Sequence, residues 1–354
     1  MTDNPESTPI QIIWEAGTAY ELFVSLQVLH EPEHYGLRAA WAAGIRSRIP
    51  AAERKFLEEV VPFLGFPLQW VYRQIPGSKD AISAMWALKQ IPPADRLRAL
   101  ACVDTWHDEK FREIFLRTYE RRAWDETDLS GLEAEMAEKP GHEKAAMTNF
   151  LEWWVRPEES GNLLLSALQA YHQSFFEEEE KRVAPVLEAG LQHAKELAKR
   201  LSIPDLIVEL SQGVHVTETI ENQLILIPAY WTTPLVLLEN IGNHQSIFLF
   251  GARPATMSAT PGELVPDGLL RELNALSDST RLKILFYLSK EELTPSELAR
   301  RLRLRAPTVT HHLSELRLAG LVNLTARGQE KYYSTRREAL KATFTNLETF
   351  LDNE

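Results

Sequence analysis

The chain has 354 residues, of which 44% are apolar and 25% charged, a composition typical of a globular protein with two or three domains. Its one cysteine, Cys102, excludes an internal disulfide framework and any zinc site built from cysteine pairs, and it favours a reducing, intracellular compartment. The net charge of −12 argues against a nucleic-acid partner, but residues 300–340 carry 9 Lys and Arg against 3 Asp and Glu.

The first 200 residues are predicted to be helical after a short edge strand at 10–13. The first ten residues carry acids and prolines without an apolar core, so we expect no signal peptide. Asp80 is an N-cap residue for a helix over 80–89. The segment 163–200 predicts one long helix, or two helices joined near Pro185.

The pattern changes after Pro204. Short runs rich in β-branched and apolar residues at 206–210, 223–228 and 246–250 predict strands, and we expect them to form a small antiparallel sheet packed on the helices. Residues 251–266 then lose periodicity and gain Gly, Pro, Ser and Thr. This composition indicates a boundary between a helical domain with a small sheet, at 1–260, and a second domain at 261–354.

Residues 267–351 predict a series of short helices followed by a hairpin. A first helix begins at Asp267, and a second, over 277–289, carries apolar residues expected in the core: Leu282, Leu285, Phe286 and Leu288. Thr294, Pro295 and Glu297 form the pattern of a capping box with proline at the first helical position. A break at 303–306 precedes another helix, which ends before Gly320.

Two short helices joined by a tight turn form a helix-turn-helix, whose second helix can enter the major groove of DNA. The two alternating segments after it surround a turn with Gly328 at its tip, which is typical of a β-hairpin. We interpret this hairpin as a wing that lies along the phosphate backbone.

This segment resembles the ArsR/SmtB-type winged-helix transcription regulators. The resemblance covers about a fifth of the chain and rests on four spaced motifs: LSDSTRLKIL at 276–285, SELA at 296–299, TVTHHL at 308–313 and LAGLV at 318–322. It implies a dimeric DNA-binding protein of a bacterial or archaeal cytoplasm, with a recognition helix at 307–317. The acidic helical part resembles, more loosely, the N-terminal regions that some bacteria attach to ArsR-type domains.

The chain departs from that family in its metal ligands. Residues 291–296 contain no thiol where many metal sensors carry a Cys-x-Cys pair, and residues 336–354 contain no histidine where other members place one. We therefore expect no metal site and no cofactor. Arg305 also stands where many relatives have a small capping serine.

The candidate DNA-binding residues lie on the predicted recognition helix and on the wing. Hydroxyls and imidazoles in the first helical turns reach base edges or phosphates, and cations beside them reach phosphates. For His311 the alternative is a solvent-facing or cap-bonded histidine, and Arg317 contacts either the DNA backbone or a neighbouring acid in a surface ion pair. Arg327 is the strongest candidate for a phosphate or minor-groove contact. The set is Arg305, Pro307, Thr308, Thr310, His311, His312, Arg317, Arg327 and Lys331.

Apolar residues at helical spacing on the last helix need a partner surface. That partner is either the same domain or, as the resemblance implies, the first helix of a second copy of this domain. The candidate dimerisation residues are Leu269, Leu273, Leu340, Phe344, Leu347 and Leu351.

The N-terminal region shows no catalytic motif, and all 9 tryptophans precede residue 232. They are predicted to fill the core or, in part, to line an apolar ligand pocket. The sequence thus favours a cytoplasmic, non-enzymatic transcriptional regulator, a repressor of ArsR type, which binds an inverted-repeat operator as a homodimer. A non-metal organic effector would control it through the N-terminal domain. The alternatives are an enzyme or a protein-interaction domain fused to a DNA-binding module.

Overall fold

The structure, a computed structural model, describes residues 10–101, 109–136, 144–215, 220–260, 262–328 and 330–352. Cys102 lies outside these residues. Contacts divide the chain into two compact units, one from Ala16 to Pro185 and the other comprising the stretch that ends at Glu15 together with the chain from Val186 onward. This division does not coincide with the domain boundary expected at 260/261. That the segments 1–260 and 261–354 are separate domains stays a prediction.

The unit from Ala16 to Pro185 is helical, as the sequence predicts. The segment predicted over 163–200 is observed as α10 and α11, which a π-helical turn at His172–Phe176 joins. Pro185 lies inside α11, so the alternative of two helices joined near Pro185 is wrong. The helices are α1 (Thr18–His30), α2 (Ala39–Arg46), α3 (Ala51–Leu64), α4 (Leu68–Gln74), α5 (Ala81–Gln90), α6 (Pro93–Ala101), α7 (Glu109–Arg121), α8 (Glu126–Met136), α9 (Lys144–Trp154), α10 (Pro157–Tyr171) and α11 (Glu177–Ala198).

Helix α1 forms the centre of this unit and is buried on all sides, which fits its apolar residues around the whole circumference. Asp80 caps α5 as predicted, accepting a hydrogen bond from the backbone N–H of Ser83 at 2.7 Å. Trp70 and Trp154 are buried in the core, whereas Trp86 is 61% exposed. Trp70 and Trp154 therefore contribute to core packing, whereas Trp86 does not.

The second unit contains a four-stranded mixed sheet in the order β1-β3-β5-β4. Its strands are β1 (Gln11–Trp14), β3 (Gln223–Ala229), β4 (Leu237–Asn240) and β5 (Gln245–Gly251). Strands β1 and β5 both pair with β3 in parallel, and only β4 runs antiparallel to β5. The expected antiparallel sheet is therefore wrong in strand direction. Strand β3 is buried along almost its whole length. An apolar run of this kind predicts a strand that is buried on both faces, but it does not determine whether the neighbouring strands are parallel or antiparallel.

The run at 206–210 is helical, which corrects the predicted strand. It belongs to α12 (Ile203–Leu210), where the Ser202 hydroxyl accepts a hydrogen bond from the N–H of Asp205 and Pro204 stands in the first turn. Leu206, Ile207 and Leu210 share the spacing of one helical face, and they pack with Ala194 of α11 against the sheet. The helix N-cap at Ser202 and the proline in the first turn therefore favour a helix more strongly than the β-branched residues of 206–210 favour a strand.

The C-terminal part of this unit has the predicted winged-helix order. Its elements are α13 (Asp267–Ser277), α14 (Ser279–Leu288), α15 (Pro295–Leu302), α16 (Ala306–Leu318), β6 (Val322–Arg327), β7 (Glu330–Thr335) and α17 (Arg337–Asp352). Ile284, Leu298, Val309 and Leu313 lie in one buried core. The prediction of a mainly helical fold with small sheets and a C-terminal winged helix-turn-helix is confirmed.

The wing sheet has a third strand that the sequence does not announce. Strand β2 (Val214–His215) pairs in parallel with β6, so the sheet order is β2-β6-β7. Among the described residues, no helix has the length and apolar character needed to cross a membrane.

Candidate nucleic-acid interface

Helices α15 and α16 form a helix-turn-helix whose start is fixed by side chains. The Thr294 hydroxyl accepts a hydrogen bond from the backbone N–H of Glu297 at 3.3 Å, and the Glu297 carboxylate accepts one from the N–H of Thr294 at 2.8 Å. Pro295 occupies the first helical position. This is the capping box predicted from the sequence, and it sets where α15 begins.

The turn between the two helices is built by Arg303 to Arg305. Arg303 has a φ of 56°, in the left-handed region, and the N–H of Leu304 donates to the carbonyl of Ala299 at 3.0 Å. Arg305 then adopts the extended conformation of an N-cap, but its side chain makes no capping hydrogen bond. The entry to α16 thus lacks the capping hydroxyl expected of relatives.

Helix α16 separates a buried face from an exposed one. Val309, Leu313 and Leu316 are at most 1% exposed and pack in the core of the winged domain. The opposite, N-terminal face is exposed and is here called the reading face: Arg305, Pro307, Thr308, Thr310 and His311. It combines a cation, two hydroxyls and an imidazole, which can hydrogen-bond to phosphates and base edges.

His312 does not lie on the reading face. Its ring nitrogen Nδ1 lies 4.0 Å from the carboxylate of Asp278, the N-cap of α14, and its side chain is only 15% exposed. Adjacent residues on a helix are rotated by about 100°, so the two histidines separate. His311 stays available to DNA, whereas His312 faces its own domain.

Arg317 is also turned inward, which corrects its expected role. The residue is 9% exposed, and its Nη2 donates to the backbone carbonyl of Ser211 at 3.0 Å. Burial, with the positive charge of Arg336, lowers the pKa of Arg317 to about 10. A guanidinium held in this way cannot reach a phosphate without leaving its site.

The wing presents the two cations that the sequence assigns to it. Arg327 and Lys331 are exposed on either side of the tip, where Gly328 has a φ of 60°. The Arg327 guanidinium lies 2.6 Å from Glu292 and 4.8 Å from the ring centroid of Tyr332. Glu292 therefore competes with any phosphate for Arg327, and Tyr332 holds the guanidinium beside the strand.

The predicted dimerisation residues are only partly available. Leu269 is 3% exposed and packs inside its own chain, so the prediction that it forms part of the dimer interface is wrong. Its neighbour Leu270, one step around α13, is 39% exposed. On α17, Phe344 is 58% and Leu351 69% exposed, while Leu273, Leu340 and Leu347 are half-buried.

Two residues of α14 that the sequence placed in the core lie outside it. Leu282 is 48% and Phe286 56% exposed, whereas Leu285 and Leu288 are buried. Helices α13, α14 and α17 therefore all carry exposed apolar side chains.

The part of the chain that the structure describes contains no group of three or more His, Cys, Asp and Glu side chains able to hold a metal ion. It does contain two pairs of arginines that lie close enough to interact electrostatically, Arg253 with Arg271 and Arg317 with Arg336. Of these four residues, the sequence analysis singled out only Arg317. The others belong to no motif, so only the fold brings each pair together.

Comparisons with known proteins bear on the winged domain. The chain is 31% identical over 78 residues to the transcriptional repressor SdpR of Bacillus subtilis (strain 168), a match that spans 22% of this chain and 87% of SdpR. It is 37% identical over 70 residues to the transcriptional activator HlyU of Vibrio cholerae, spanning 20% of this chain and 65% of HlyU. An ArsR-like transcriptional regulator from Rhodococcus sp. RHA1 is 34% identical over 23% of this chain and 77% of its own, with a TM-score of 0.22.

Two family descriptions match separate parts of the chain. Residues 278–323 match the bacterial regulatory protein arsR family, and residues 8–228 match a family of unknown function, DUF5937. The first covers the helix-turn-helix and the start of the wing, and the second covers more than half of the chain. The chain therefore belongs to the family DUF5937 and carries a C-terminal DNA-binding domain of the ArsR family of bacterial regulatory proteins.

Proposed function

We propose that this protein is a sequence-specific transcriptional regulator that binds an operator through α16 and the wing. The observation that carries the proposal is the reading face, where Thr308, Thr310 and His311 are exposed on the first turns of α16 while its other face is buried. The cations of the wing, Arg327 and Lys331, supply phosphate contacts beside it.

The functional unit is a homodimer that binds an inverted repeat. One winged helix makes few base contacts, and a two-fold axis doubles them. The exposed Phe344 and Leu351, with Leu270 on α13, supply apolar surface for the second copy. Half-sites then lie one helical turn of DNA, or a multiple of it, apart.

The protein acts as a repressor in the cytoplasm, where its operator lies. The relative SdpR is a transcriptional repressor, and a dimer seated on an operator blocks access to the DNA beneath it. The relative HlyU is an activator, so activation is the opposite outcome of a reporter assay. Reporter expression that falls when the protein is present supports repression, and expression that rises contradicts it.

Control comes from a non-metal small molecule that acts through the part of the chain preceding the winged helix. The thiols and histidines of the family's metal sites are absent from 291–296 and 336–354. A tenfold change in operator affinity needs a coupling free energy of about 1.4 kcal/mol. Operator binding by the full chain that responds to zinc, cadmium or arsenite contradicts this proposal.

The central experiment is selection of binding sites from random DNA with the full chain, followed by titration of the selected fragment across a range of salt concentrations. We expect the selected sequence to be an inverted repeat. The affinity should fall steeply as the salt concentration rises, because protein binding releases counterions from the DNA phosphates. Recovery of no consensus, or of a single half-site bound by a monomer, contradicts the proposal. Recovery of no consensus is the result expected if the protein is an enzyme or an interaction domain fused to a module that does not bind DNA.

A further inference from the structure

Two neighbouring cavities lie beside the C-terminal end of α16, within the unit that contains the winged domain. The larger has a volume of about 380 Å³, and its polar lining includes His193, Glu209, Gln212, Arg336 and Glu338. The smaller has a volume of about 70 Å³ and is lined by Arg253 and Arg271 among others. Gln212, Glu272 and Ala319 line both cavities, so the two cavities adjoin each other.

A guanidinium group that lines the smaller cavity has unused hydrogen-bonding capacity. The Nε and Nη1 atoms of Arg271 are buried and have no hydrogen-bond partner among the described residues. A buried donor without a partner is costly, and a charged one more so. Such donors are found where a ligand supplies the acceptor.

The charges at the smaller cavity favour an anion. Burial and the nearby positive charge of Arg253 lower the pKa of Arg271 to about 10, so Arg271 remains cationic at neutral pH. The acids that face Arg271 are Asp267 and Glu272. Asp267 already accepts a hydrogen bond from the N–H of Ala259 at 2.6 Å, and burial raises the pKa of Glu272.

The smaller cavity has room for one carboxylate or phosphate group, and the larger one for the rest of a small molecule. The combined volume lies in the range of small-molecule sites. The carboxylates and the imidazole of the larger cavity suit hydroxyl or amine groups, so its occupant is polar rather than a lipid.

The position of the site connects it to the DNA-binding elements. Leu318, which lines the smaller cavity, is the last residue of α16, Arg271 and Glu272 are on α13, and Arg336 directly precedes α17. A ligand in this site therefore touches the helix that carries the reading face, α13 of the proposed dimer surface and the start of α17. Binding at one place changes the affinity at the other by the same factor.

We propose that this arginine-lined site binds a small organic anion with a carboxylate or phosphate group, and that the bound anion changes the affinity of the protein for its operator. The second half of this statement rests on the proposed function, whereas the first half does not. The site gives the effector a location and a charge.

The test uses the full chain, with inorganic phosphate and succinate as probes at constant ionic strength. We expect each active probe to raise the unfolding temperature above that measured in chloride, because a ligand that binds only the folded state stabilises it. Succinamide, the uncharged diamide, should have no effect. A response to phosphate alone or to succinate alone identifies which anionic group the site takes. The same unfolding temperature in phosphate, succinate and chloride overturns the proposal.

Variants locate the binding. Arg271→Gln should raise the dissociation constant of the active probe at least tenfold. Lys341→Gln, which removes an exposed cation from α17, should leave this constant unchanged. Glu272→Gln removes the competing carboxylate and should strengthen binding several-fold, so the prediction remains testable if Arg271→Gln does not fold. Equal affinities in all three variants overturn the assignment of the site.

Operator binding is measured separately with and without the active probe. An affinity that changes with the probe in the wild type but not in Arg271→Gln supports the effector role. Anion binding with an unchanged operator affinity overturns the effector role while the DNA-binding proposal stands. No operator binding under any condition overturns the proposed function, and thermal shifts that depend on Arg271 would still support the anion site.

Discussion

The side chain of Arg317 donates a hydrogen bond to the backbone carbonyl of Ser211, with 3.0 Å between Nη2 and the oxygen. Arg317 is in the last turn of α16, and Ser211 lies between α12 and β2. The N–H of Leu324 on the wing also donates to the carbonyl of Gly213 at 2.8 Å. The helix that carries the reading face and the wing are thus both held by a segment about 50 residues before the winged helix.

The contrast between Arg317 and Arg327 gives the first prediction. Arg327→Ala should weaken binding to all DNA sequences and reduce the slope of log affinity against log salt by about one unit, because one phosphate contact is lost. Arg317→Ala should leave that slope unchanged and lower the free energy of unfolding by about 1.5–3 kcal/mol, the contribution of a hydrogen bond from a charged group. Salt titrations and urea unfolding measure the two effects.

Glu292→Gln is a matched control for the wing. It releases Arg327 from its ion pair without changing the wing itself. DNA affinity should then stay the same or rise. An unchanged salt slope in Arg327→Ala, or weaker DNA binding in Glu292→Gln, would count against a phosphate contact by Arg327.

The second prediction concerns sequence selectivity. Alanine at Thr308, Thr310 or His311 should relax the preference at one operator position, at a cost of about 1–3 kcal/mol if the side chain contacts a base edge. His312→Ala is the control, because that side chain faces Asp278 rather than solvent. Binding-site selection on all four variants checks this. The same consensus from the wild type and the three reading-face variants would refute the assignment.

Local signals in the sequence were sufficient to predict the order of the helices and the hairpin in the winged domain. The capping box at Thr294, the proline at 295 and the glycine at the wing tip each act within a few residues, so the elements that they begin or end could be predicted. The reading face followed from helical spacing in the same way.

Contacts distant in sequence could not be predicted. Strand β2 has only two residues and pairs with β6 more than a hundred positions later, so no periodicity marks it. The inward orientation of Arg317 depends on that pairing. Leu282 and Phe286 have the spacing of core residues, but the side of a short helix that faces the core is set by its neighbours.

The third prediction is a pH dependence centred on Glu239 of β4. Burial raises the pKa of this carboxyl from its ordinary 4.5 to about 7. Above about pH 4.5 the unfolded chain releases this proton, whereas the folded chain retains it until about pH 7. The contribution to stability is therefore complete below pH 4.5 and is lost as the pH rises to 7, at up to about 3 kcal/mol.

Glu239→Gln stays neutral, so it should match the wild type near pH 4.5 and be more stable than it at pH 8. Urea unfolding at both pH values measures the difference. Glu348→Gln, which changes an exposed carboxyl on α17, should show no such dependence. Equal stability of Glu239→Gln and the wild type at pH 8 would contradict the prediction.

The fourth prediction uses the uncapped start of α16. Arg305 has the backbone conformation of an N-cap without a capping side chain, so the N–H of Thr308 lacks a hydroxyl acceptor there. Arg305→Ser should supply one and raise the free energy of unfolding by about 1 kcal/mol. Arg305→Ala removes the same charge without adding a cap. The two variants should lose DNA affinity alike and differ in stability, and identical urea unfolding curves would contradict the cap.

The fifth prediction tests the dimer through Phe344, which is 58% exposed on α17. Phe344→Glu would place a charge in an apolar seam, and an uncompensated buried charge costs several kcal/mol. The dimer should therefore weaken by at least about a hundredfold, equivalent to about 3 kcal/mol. Light scattering at micromolar concentration should show a dimer for the wild type and a monomer for the variant, and the monomer should lose its preference for the inverted repeat over a half-site.

Thr345→Glu is the matched control, since it adds the same charge at the next position of α17, about 100° around the helix. It should remain dimeric and bind the inverted repeat like the wild type. If Phe344→Glu remains a dimer while Thr345→Glu dissociates, a different face of α17 forms the seam. If the wild type is a monomer at micromolar concentration and still binds its operator, the two-fold arrangement is wrong, and each winged helix must recognise DNA on its own.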